Sequence, residues 1–419
     1  MSFNIGLSGL RAVNQELSVI SNNVANASTA GFKASRAEFA AIYSGGQAGG
    51  VEVANVSQNF DRKGDVLRSG RPLDMAISGN GFFVLKDANG QTSYTRAGMF
   101  RKDADNYLVS NISGKRLQGY GIGANGQLQT GVVGDIQVSS ASLAAKPSDK
   151  LEFVGNLKAD ASTITITPFD PKTAETYNFS QSSKVYDSLG IEHSLTQYFV
   201  KTGDNAWQIN YTFDGTPHRV DPKNDKSALI TTALKFKPDG TIDVAASTPP
   251  APLAPTVTPF PPQLSLKHAG AENITLNVDL SKLSQYGSDF NVTRNQSNGY
   301  GAGELTGVSV DDKGGVYAMF TNGQRLQQGQ VVMANFTNPD GLMQSDNTSW
   351  VQTFSSGQPV MGAPGTGTLG SLATGGYESS NVDISSELVG LMTAQRNYQA
   401  NAKSISSADK MTQVLFNSF

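Results

Sequence analysis

The sequence predicts a mainly β protein with helical ends, in which paired N- and C-terminal α-helices of the coiled-coil type enclose a β-rich body. Near both ends, apolar residues recur at alternating spacings of three and four, as they do along one face of a helix. Between the ends, glycine-marked turns dominate. These turns include five Asn-Gly and three Asp-Gly pairs, which are the strongest short-range hairpin signals: Asn80, Asn89, Asn125, Asn298, Asn322, Asp214, Asp239 and Asp340.

The N-terminal helix is predicted from a heptad seam that runs for nearly three heptads. The seam residues are Leu10, Val13, Leu17, Ile20, Val24 and Ala27. Gly31 follows as a helix stop, because glycine readily takes the left-handed conformation that ends many helices.

The C-terminal helix is predicted to begin at the N-cap Asp383 and to carry a weaker seam. The seam residues are Ile384, Leu388, Leu391, Gln395, Tyr398, Ala402, Ile405, Asp409, Thr412, Phe416 and Phe419. An isolated pair of such helices is marginal in water, so we expect the two helices to pair and to order on self-assembly. Small residues are expected to permit close contact: Ala25, Ala27, Ala400 and Ala402. The alternative is that each helix packs on a local core.

The body between the helices is predicted to be antiparallel sheet, because its segments alternate apolar and polar residues. Examples are Thr163–Thr167, Trp207–Phe213 and Ile274–Leu280. Two Gly-rich segments, 44–50 and 362–376, are predicted to be flexible linkers. The Pro-rich segment 247–263 is predicted to be a surface loop.

Composition excludes several function classes. Of the 419 residues only 16% are charged, the net charge is −3, and no Lys/Arg block is present, which argues against nucleic acid or anionic lipid as a partner. The absence of cysteine excludes disulfides, thiolate chemistry and Cys-ligated zinc. No run of 18 apolar residues predicts a membrane span. The start lacks a secretory signal, so ordinary rules predict a cytoplasmic protein.

No catalytic, cofactor or metal pattern is found, so we predict a protein that is not an enzyme and needs no cofactor. His193, His218 and His268 lie in unrelated contexts. The segment 121–126, "GIGANG", matches a dinucleotide-binding pattern, but a strand-like stretch follows it and a hairpin is predicted instead. The segment 310–316 lacks the acidic alternation of a calcium loop and is predicted to be a turn.

Basic residues near the two ends are expected to lie on solvated helix faces or in weak rim ion pairs. These residues are Arg11, Lys33, Arg36, Arg396 and Lys403.

Four stretches carry a resemblance to a known family. The first is "LSGLRAVNQELSVISNNVANASTAGFKASRAEF" at 7–39. The others lie at 71–85, at 94–110 with 117–122, and at 379–415. Together they resemble the bacterial flagellar axial proteins, which comprise the rod, hook and hook-junction proteins. The signature residues are Ser21, Asn22, Asn23, Ala25, Asn26, Gly31, Phe32, Gln395, Arg396, Asn397 and Tyr398.

The resemblance implies a three-part organisation. Residues 1–70 and 366–419 would form a helical assembly domain that lines an inner tube. Residues 71–147 and 286–365 would form a discontinuous inner β domain, and 148–285 an outer β domain inserted into it. Within the family, this insertion favours the hook type over the shorter distal rod proteins.

The resemblance also implies partners and location. The chain would form a helical tubular polymer of itself, the flexible universal joint that carries torque from rod to filament and supports motility. Its partners would be the distal rod protein, the hook cap, the hook–filament junction protein and the flagellar export apparatus. It would lie outside the cell, exported without a cleaved signal, with no membrane insertion and no nucleic acid. Some hook proteins are crosslinked through cysteine, a route closed to this chain.

Two alternatives remain open. The first is another axial protein, either distal rod or junction. The second is a secreted β-rich adhesin, which would need a ligand pocket in its central domain and would not need the rod-type signature.

Overall fold

The computed structural model describes residues 2–44, 47–123, 125–219, 229–247, 262–266 and 270–417. Within that part the chain is mostly β, with a helix near each end, so the predicted fold class is confirmed. The chain divides into two compact units. We call residues 1–140, 306–319 and 325–419 the terminal unit, and residues 141–305 and 320–324 the inserted unit.

The terminal unit contains the two long helices, α1 (Ser2–Ala25) and α3 (Ile384–Asn417). A short 3-10 helix spans Pro339–Gly341. The strands before the inserted unit are β1 (Ser35–Ser44), β2 (Gln47–Gln58), β3 (Val66–Arg68), β4 (Met75–Ser78), β5 (Phe82–Lys86), β6 (Thr92–Thr95), β7 (Phe100–Lys102), β8 (Leu108–Ser110), β9 (Arg116–Ile122) and β10 (Leu128–Asp135).

The inserted unit contains a four-residue helix, α2 (Val244–Ser247), and a 3-10 turn at Ala174–Thr176. Its strands are β11 (Lys150–Lys158), β12 (Phe179–Tyr186), β13 (Glu192–Gly203), β14 (Ala206–Phe213), β15 (Thr216–Pro217), β16 (Thr231–Lys235), β17 (Gln263–Leu266), β18 (Ile274–Asp279), β19 (Ser284–Tyr286) and β20 (Asn291–Ser297). The strands after it are β21 (Leu305–Val310), β22 (Gly315–Phe320), β23 (Arg325–Val331), β24 (Met333–Asn335), β25 (Met343–Ser345), β26 (Ser349–Val351), β27 (Val360–Gly362), β28 (Ser371–Thr374) and β29 (Gly376–Glu378).

The sheet of the terminal unit joins strands that are far apart in sequence. Among the described residues it has 13 strands, with β5 hydrogen-bonded to β6, β9 and β24. An aromatic core with edge-on ring contacts, centred on Phe82, Tyr94, Phe336 and Trp350, packs on it. Edge-to-face geometry favours such contacts beyond the area they bury. The core therefore depends on both halves of the sequence.

The inserted unit is built from two five-stranded sheets that share one core. One sheet contains β11 and β17 to β20, and the other contains β12 to β16. Inward residues alternate along β11, where Leu151, Phe153 and Leu157 are buried, as expected for strands with one apolar face. Trp207 on β14 lies in the same core and donates from Nε1 to Gln285 Oε1 over 2.7 Å.

The turn predictions are confirmed at two sites. Strands β9 and β10 pair antiparallel around the "GIGANG" segment, whose Gly126 has φ +73°. Asp311 begins a turn between β21 and β22, and its Oδ1 accepts from the N–H groups of Lys313 and Gly315 over 3.0 and 2.7 Å. The described residues of both segments therefore lie in hairpin turns.

Three local predictions are wrong. Segment 44–50 is the tip of the β1–β2 hairpin instead of a linker, with Ile42 opposite Gly50; Gly45 and Gly46 lie outside the described residues. Segment 362–376 is ordered, because its glycines permit close backbone approach: a Cβ on Gly370 would lie 2.2 Å from Ser78 O. Segment 163–167 is not a strand, since only the Ile164 N–H to Lys201 O bond ties it to β13, and Ile166 is exposed.

Two further sequence predictions fall largely outside the described residues. Only Ser247, Pro262 and Gln263 of the Pro-rich segment 247–263 are described. His268 is also not described.

Candidate assembly site at the paired termini

The two long helices pack against each other in antiparallel order, as the predicted pairing requires. Val13, Ile20 and Ala394 form a small buried cluster, and Leu17, Val24 and Leu391 pack around it half-buried. The pair is thus held by a thin apolar seam. Burial on this scale stabilises a helix pair only modestly, at roughly 25 cal/mol per Å².

Two glycines of α1, Gly6 and Gly9, lie in close contact with α3. A Cβ on Gly6 would lie 2.8 Å from Ile405 Cγ1, and one on Gly9 would lie 2.8 Å from Asn401 Oδ1. Ala25 and Ala400 are exposed, and Ala27 and Ala402 are only half-buried. These four alanines therefore do not make the close contact between α1 and α3 of one chain, and their role in contacts between copies stays a prediction.

The N-terminal seam lies where it was predicted, except at its end. Val13 and Ile20 are buried, and Leu10, Leu17 and Val24 are half-buried. The helix ends at Ala25, so Ala27 lies in the following turn. The turn starts early because Asn26 Nδ2 donates to both the carbonyl and the side chain of Asn22, which caps the last helical turn.

The C-terminal seam is rotated relative to the prediction. Asp383 caps the helix as predicted, with Oδ1 accepting from Ser385 N and Ser386 N over 3.0 and 3.2 Å. The residues that face α1 with at least half burial include Glu387, Leu391, Ala394, Asn401, Ala402 and Ile405. Of the predicted set, Leu391, Ala402 and Ile405 lie on this face.

The remaining predicted seam residues of α3 are exposed: Ile384, Leu388 and Tyr398, together with Gln395, Asp409 and Thr412. The side chains of Phe416 and Phe419 lie outside the described residues. The prediction gave weight to large apolar residues, whereas the pair uses a small alanine and an asparagine opposite glycines.

Asn23 joins three parts of the terminal unit. Its Nδ2 donates to Ser35 O over 2.8 Å and to Glu387 Oε1 over 3.0 Å, while its Oδ1 accepts from Ser35 N over 2.9 Å. It is almost fully buried. Because burying an amide is costly unless every polar atom is paired, this asparagine fixes where α1, β1 and α3 meet.

Gly31 permits a contact that no other residue could make. Its φ is +69°, and a Cβ there would lie 2.4 Å from Ala97 N. Its N–H donates to Glu378 O over 2.9 Å, and the next residue, Phe32, is buried. Gly31 therefore seats the chain directly on the sheet, a larger role than the helix stop predicted for it.

A buried ion triad lies beside this contact. Glu378 Oε1 is 2.6 Å from Lys33 Nζ, and Glu378 Oε2 is 3.3 Å from Arg96 Nη1. All three side chains are at most 3% exposed. Lys33 also donates to Arg62 O over 3.1 Å, and Gly64 N donates to Glu378 Oε1 over 3.0 Å. The expectation that Lys33 lies on a solvated helix face is wrong.

The triad shapes the charge of its neighbourhood. Burial lowers the pKa of Lys33 despite its ion pair with Glu378. Burial, with the nearby charges of Arg96 and Lys33, also lowers the pKa of Lys63 to about 8. Two buried cations therefore depend on one carboxylate, an arrangement in which loss of the carboxylate is costly. Together, residues 21–35 and 376–383 form what we call the helix root.

Beyond the helix root, α3 presents large apolar side chains to solvent. We call this set the apolar stripe: Ile384, Leu388, Val389, Met392, Tyr398, Met411 and Val414. Leu388 is 48% exposed and Met411 is 70% exposed. The signature residues Gln395, Arg396 and Asn397, and also Ser21 on α1, are exposed on the same pair of helices.

A groove lies elsewhere on the same helix pair. A cavity of about 530 Å³ lies between the first half of α1, the middle of α3 and the β1–β2 hairpin. Its walls include Ile5, Phe39, Val51 and Asn397. Exposed apolar surface beside a groove is typical of a protein–protein contact.

Across the described residues no group of three or more His, Cys, Asp or Glu side chains is placed to hold a metal ion. None of the helices in the described part is both long and apolar enough to span a bilayer.

Four family models match the chain in order. They are described as flagella basal body rod protein (3–33), flagellar hook protein FlgE/F/G D1 domain (76–168), flagellar basal body protein FlaE D2 domain (156–300) and flagellar basal body rod FlgEFG protein C-terminal (373–418). The two terminal models contain most of α1 and all of α3, and the FlaE D2 model covers most of the inserted unit.

Full-length relatives match from end to end. The chain is similar to the flagellar hook protein FlgE of Escherichia coli, with 38% identity over 422 aligned positions that cover 100% of both chains. It is also similar to the FlgE of Salmonella typhimurium, with 36% identity over 100% of both. Among solved structures, the Helicobacter pylori flagellar hook protein FlgE2 aligns with TM-score 0.50 and 14% identity, over 73% of this chain and 98% of that one.

Proposed function

The chain belongs to the flagellar hook protein family, and from this premise we propose that it is a structural subunit of the bacterial flagellar hook that polymerises through its terminal helices. The observation that carries the proposal is the exposed apolar surface of the helix pair, which comprises the apolar stripe of α3 and, separately, the groove lined by Ile5 and Phe39. A helix whose second half exposes Met411 and Val414 buries too little surface to be stable alone. Neighbouring copies supply the missing contacts.

The helix pair suits a joint that must bend. Its intramolecular seam is thin and carries few charges, so few directional ion pairs resist small sliding movements between packed helices. The helix root, in contrast, contains a buried, hydrogen-bonded centre formed by Asn23, Lys33 and Glu378. We propose that bending occurs between subunits along the stripe, while the root keeps each helix pair fixed to its own β unit.

The three-part division is part of the proposal. Residues 1–70 and 366–419 line the tube, 71–147 and 286–365 form a surrounding layer, and 148–285 form the outermost domain. The order of the matched family models supports three parts in this order, while the inserted unit itself extends past 285 to include β20 (Asn291–Ser297). The role is structural, so the polymer transmits torque from rod to filament and performs no reaction.

The proposed position between rod and filament implies specific protein partners. They are the distal rod protein at one end, the hook cap during growth, and the junction protein at the filament end. The export apparatus would read an N-terminal segment and pass the chain to the growing tip without cleaving a signal. The assembled protein lies outside the cell as part of the flagellum.

Electron microscopy of basal bodies from a strain lacking this chain tests the proposal. We expect complete rods that end without a hook, restored by the wild-type gene. A truncated rod would assign the chain to the distal rod instead. Intact hooks would overturn the axial role and favour the adhesin alternative.

A further inference from the structure

In the inserted unit, one histidine lies between two carboxylates. His193 on β13 has Nδ1 at 2.7 Å from Asp214 Oδ2 and Nε2 at 3.3 Å from Asp187 Oδ2. Asp187 follows β12 and begins the turn to β13, and Asp214 follows β14 and begins the turn to β15. His193 and Asp187 are buried, at 4% and 0% exposure. The imidazole therefore joins two hairpin turns.

Hydrogen bonding decides the charge of this group. A carboxylate only accepts, and a neutral imidazole carries a single N–H, so both contacts are hydrogen bonds only when both ring nitrogens are protonated. Asp187 is held as a carboxylate because its Oδ1 already accepts from Leu189 N and Ile191 N over 2.9 and 2.8 Å. Asp214 Oδ1 accepts from Ser194 N over 2.9 Å.

We propose that His193, Asp187 and Asp214 form a proton-dependent clamp, which holds the two turns of the inserted unit together while His193 is charged and loosens them when alkaline medium removes that charge. The clamp does not depend on the proposed hook function. Loss of the clamp should loosen the β12–β13 turn, which Asp187 holds through the N–H groups of Leu189 and Ile191. Both of these residues expose apolar side chains at the surface.

The surroundings agree with a charged imidazole. Burial opposes protonation of His193, but the hydrogen bonds and charges of Asp214 and Asp187 outweigh it and raise its pKa. Burial alone would raise the pKa of Asp187, but the hydrogen bonds from the Ile191 N–H and from His193 outweigh burial and lower that pKa. The Phe213 ring lies 4.9 Å away, tilted against the imidazole. On the adjoining strands, Lys184 and Glu192 form their own exposed pair 2.9 Å apart.

The clamp should stabilise the inserted unit less as the pH rises. A histidine whose folded pKa is raised contributes stability fully below its unfolded value of about 6.5, and this contribution is lost as pH rises through the folded pKa. The Asp187 contribution is present above its unfolded pKa and is lost only in acid. The clamp is therefore complete in mildly acidic to neutral medium, and it weakens above.

The two tryptophans permit a direct test, because Trp207 lies in the inserted unit and Trp350 in the terminal unit. In the full-length Trp350→Phe chain, Trp207 is the remaining tryptophan, so its fluorescence during denaturant titration measures the unfolding of the inserted unit. Between pH 6.5 and the folded pKa of His193, we expect its unfolding constant to rise up to about tenfold per pH unit. His193→Gln should abolish this dependence, and Asp214→Asn should reduce it.

His218→Gln is the matched control, because burial lowers the pKa of His218, so that its charge changes below the pH range of the test. It should keep the wild-type pH dependence. An unchanged dependence in His193→Gln would overturn the clamp. If that variant does not fold, NMR titration of the folded wild-type imidazoles decides: a His193 midpoint above 6.5 supports the clamp, and one at or below 6.5 overturns it.

Discussion

The helix root and the distal half of α3 belong to the same unit but are built in opposite ways. The root joins residues from both ends of the chain through the Lys33–Glu378–Arg96 triad. Its Asn23 and Asn381 are buried and hydrogen-bonded. The distal half of α3 leaves Met411 and Val414 in solvent. One region is complete within a single chain, and the other lacks the contacts that would bury it.

The family signature residues therefore fall into two groups, one buried within the chain and one exposed on α3. Asn23, Gly31 and Phe32 act inside the chain, where they seat α1 on the sheet. Gln395, Arg396 and Asn397 lie exposed on α3, where other copies can contact them. Substitutions at the root should therefore reduce stability, whereas substitutions on the stripe should reduce assembly.

The largest effect is expected from Glu378→Gln. Removing the carboxylate leaves two buried cations uncompensated, which should lower the free energy of unfolding by about 3–5 kcal/mol. Denaturant titration in a Trp207→Phe background, with Trp350 as the probe, measures it. Glu38→Gln is the control, because the ion pair of Glu38 with Arg36 is exposed, so its loss should leave the free energy of unfolding nearly unchanged. Equal losses in both variants would contradict the role of the triad.

Gly31→Ala is expected to follow in size. Alanine at φ +69° costs about 1–2 kcal/mol, and its Cβ would also collide with Ala97 N, which adds about 1–3 kcal/mol. Gly114 has φ +67° with no atom within 4 Å of a Cβ, so Gly114→Ala isolates the conformational cost. The same titration compares the two. If they lose equal stability, the close approach at Gly31 contributes nothing.

On the stripe, Leu388→Asn should leave the monomer intact but weaken the polymer. Because the Leu388 side chain is about half exposed, the free energy of unfolding of the monomer should change by only about 0.5 kcal/mol. Loss of its burial between copies, worth about 1.5 kcal/mol, should raise the critical concentration for polymerisation about tenfold. Sedimentation of polymer measures this. Val132→Asn on β10, also exposed, is the control, and identical polymerisation of the two variants would argue against the stripe.

The smallest effects compare two helix glycines. Gly390→Ala should stabilise by about 0.5–1 kcal/mol, because alanine favours helix and its Cβ would lie an ordinary 3.5 Å from Ile20 Cδ1. Gly9→Ala should instead destabilise by about 1 kcal/mol, since Asn401 must move. Thermal unfolding followed by helical circular dichroism distinguishes them. Equal stabilisation by both would show that the helices do not approach closely at Gly9.

The comparison also explains what the sequence could predict. Both helices, the Asp383 cap and the hairpin around Gly126 were predictable, because each depends on residues close together in the chain. The triad was not, since Lys33 and Glu378 lie 345 positions apart and nothing near Lys33 marks its partner.

The register of α3 was missed for a different reason. Large apolar residues usually face the nearest core, but here Leu388 and Met392 face away from α1. The inner face relies on Ala394 and Asn401, which no hydrophobic pattern selects. In the proposed assembly α3 has two interfaces, one with α1 and one with other copies, and a single apolar seam cannot describe both.

Hydrogen–deuterium exchange of the full-length chain, as monomer and as assembled hook, tests the central claim most directly. The account predicts that amides of 21–35 and 376–383 are protected in both states, whereas those of 398–417 exchange rapidly in the monomer and become protected in the polymer. Equal protection of 398–417 in both states, or its rapid exchange in the hook, would contradict the account.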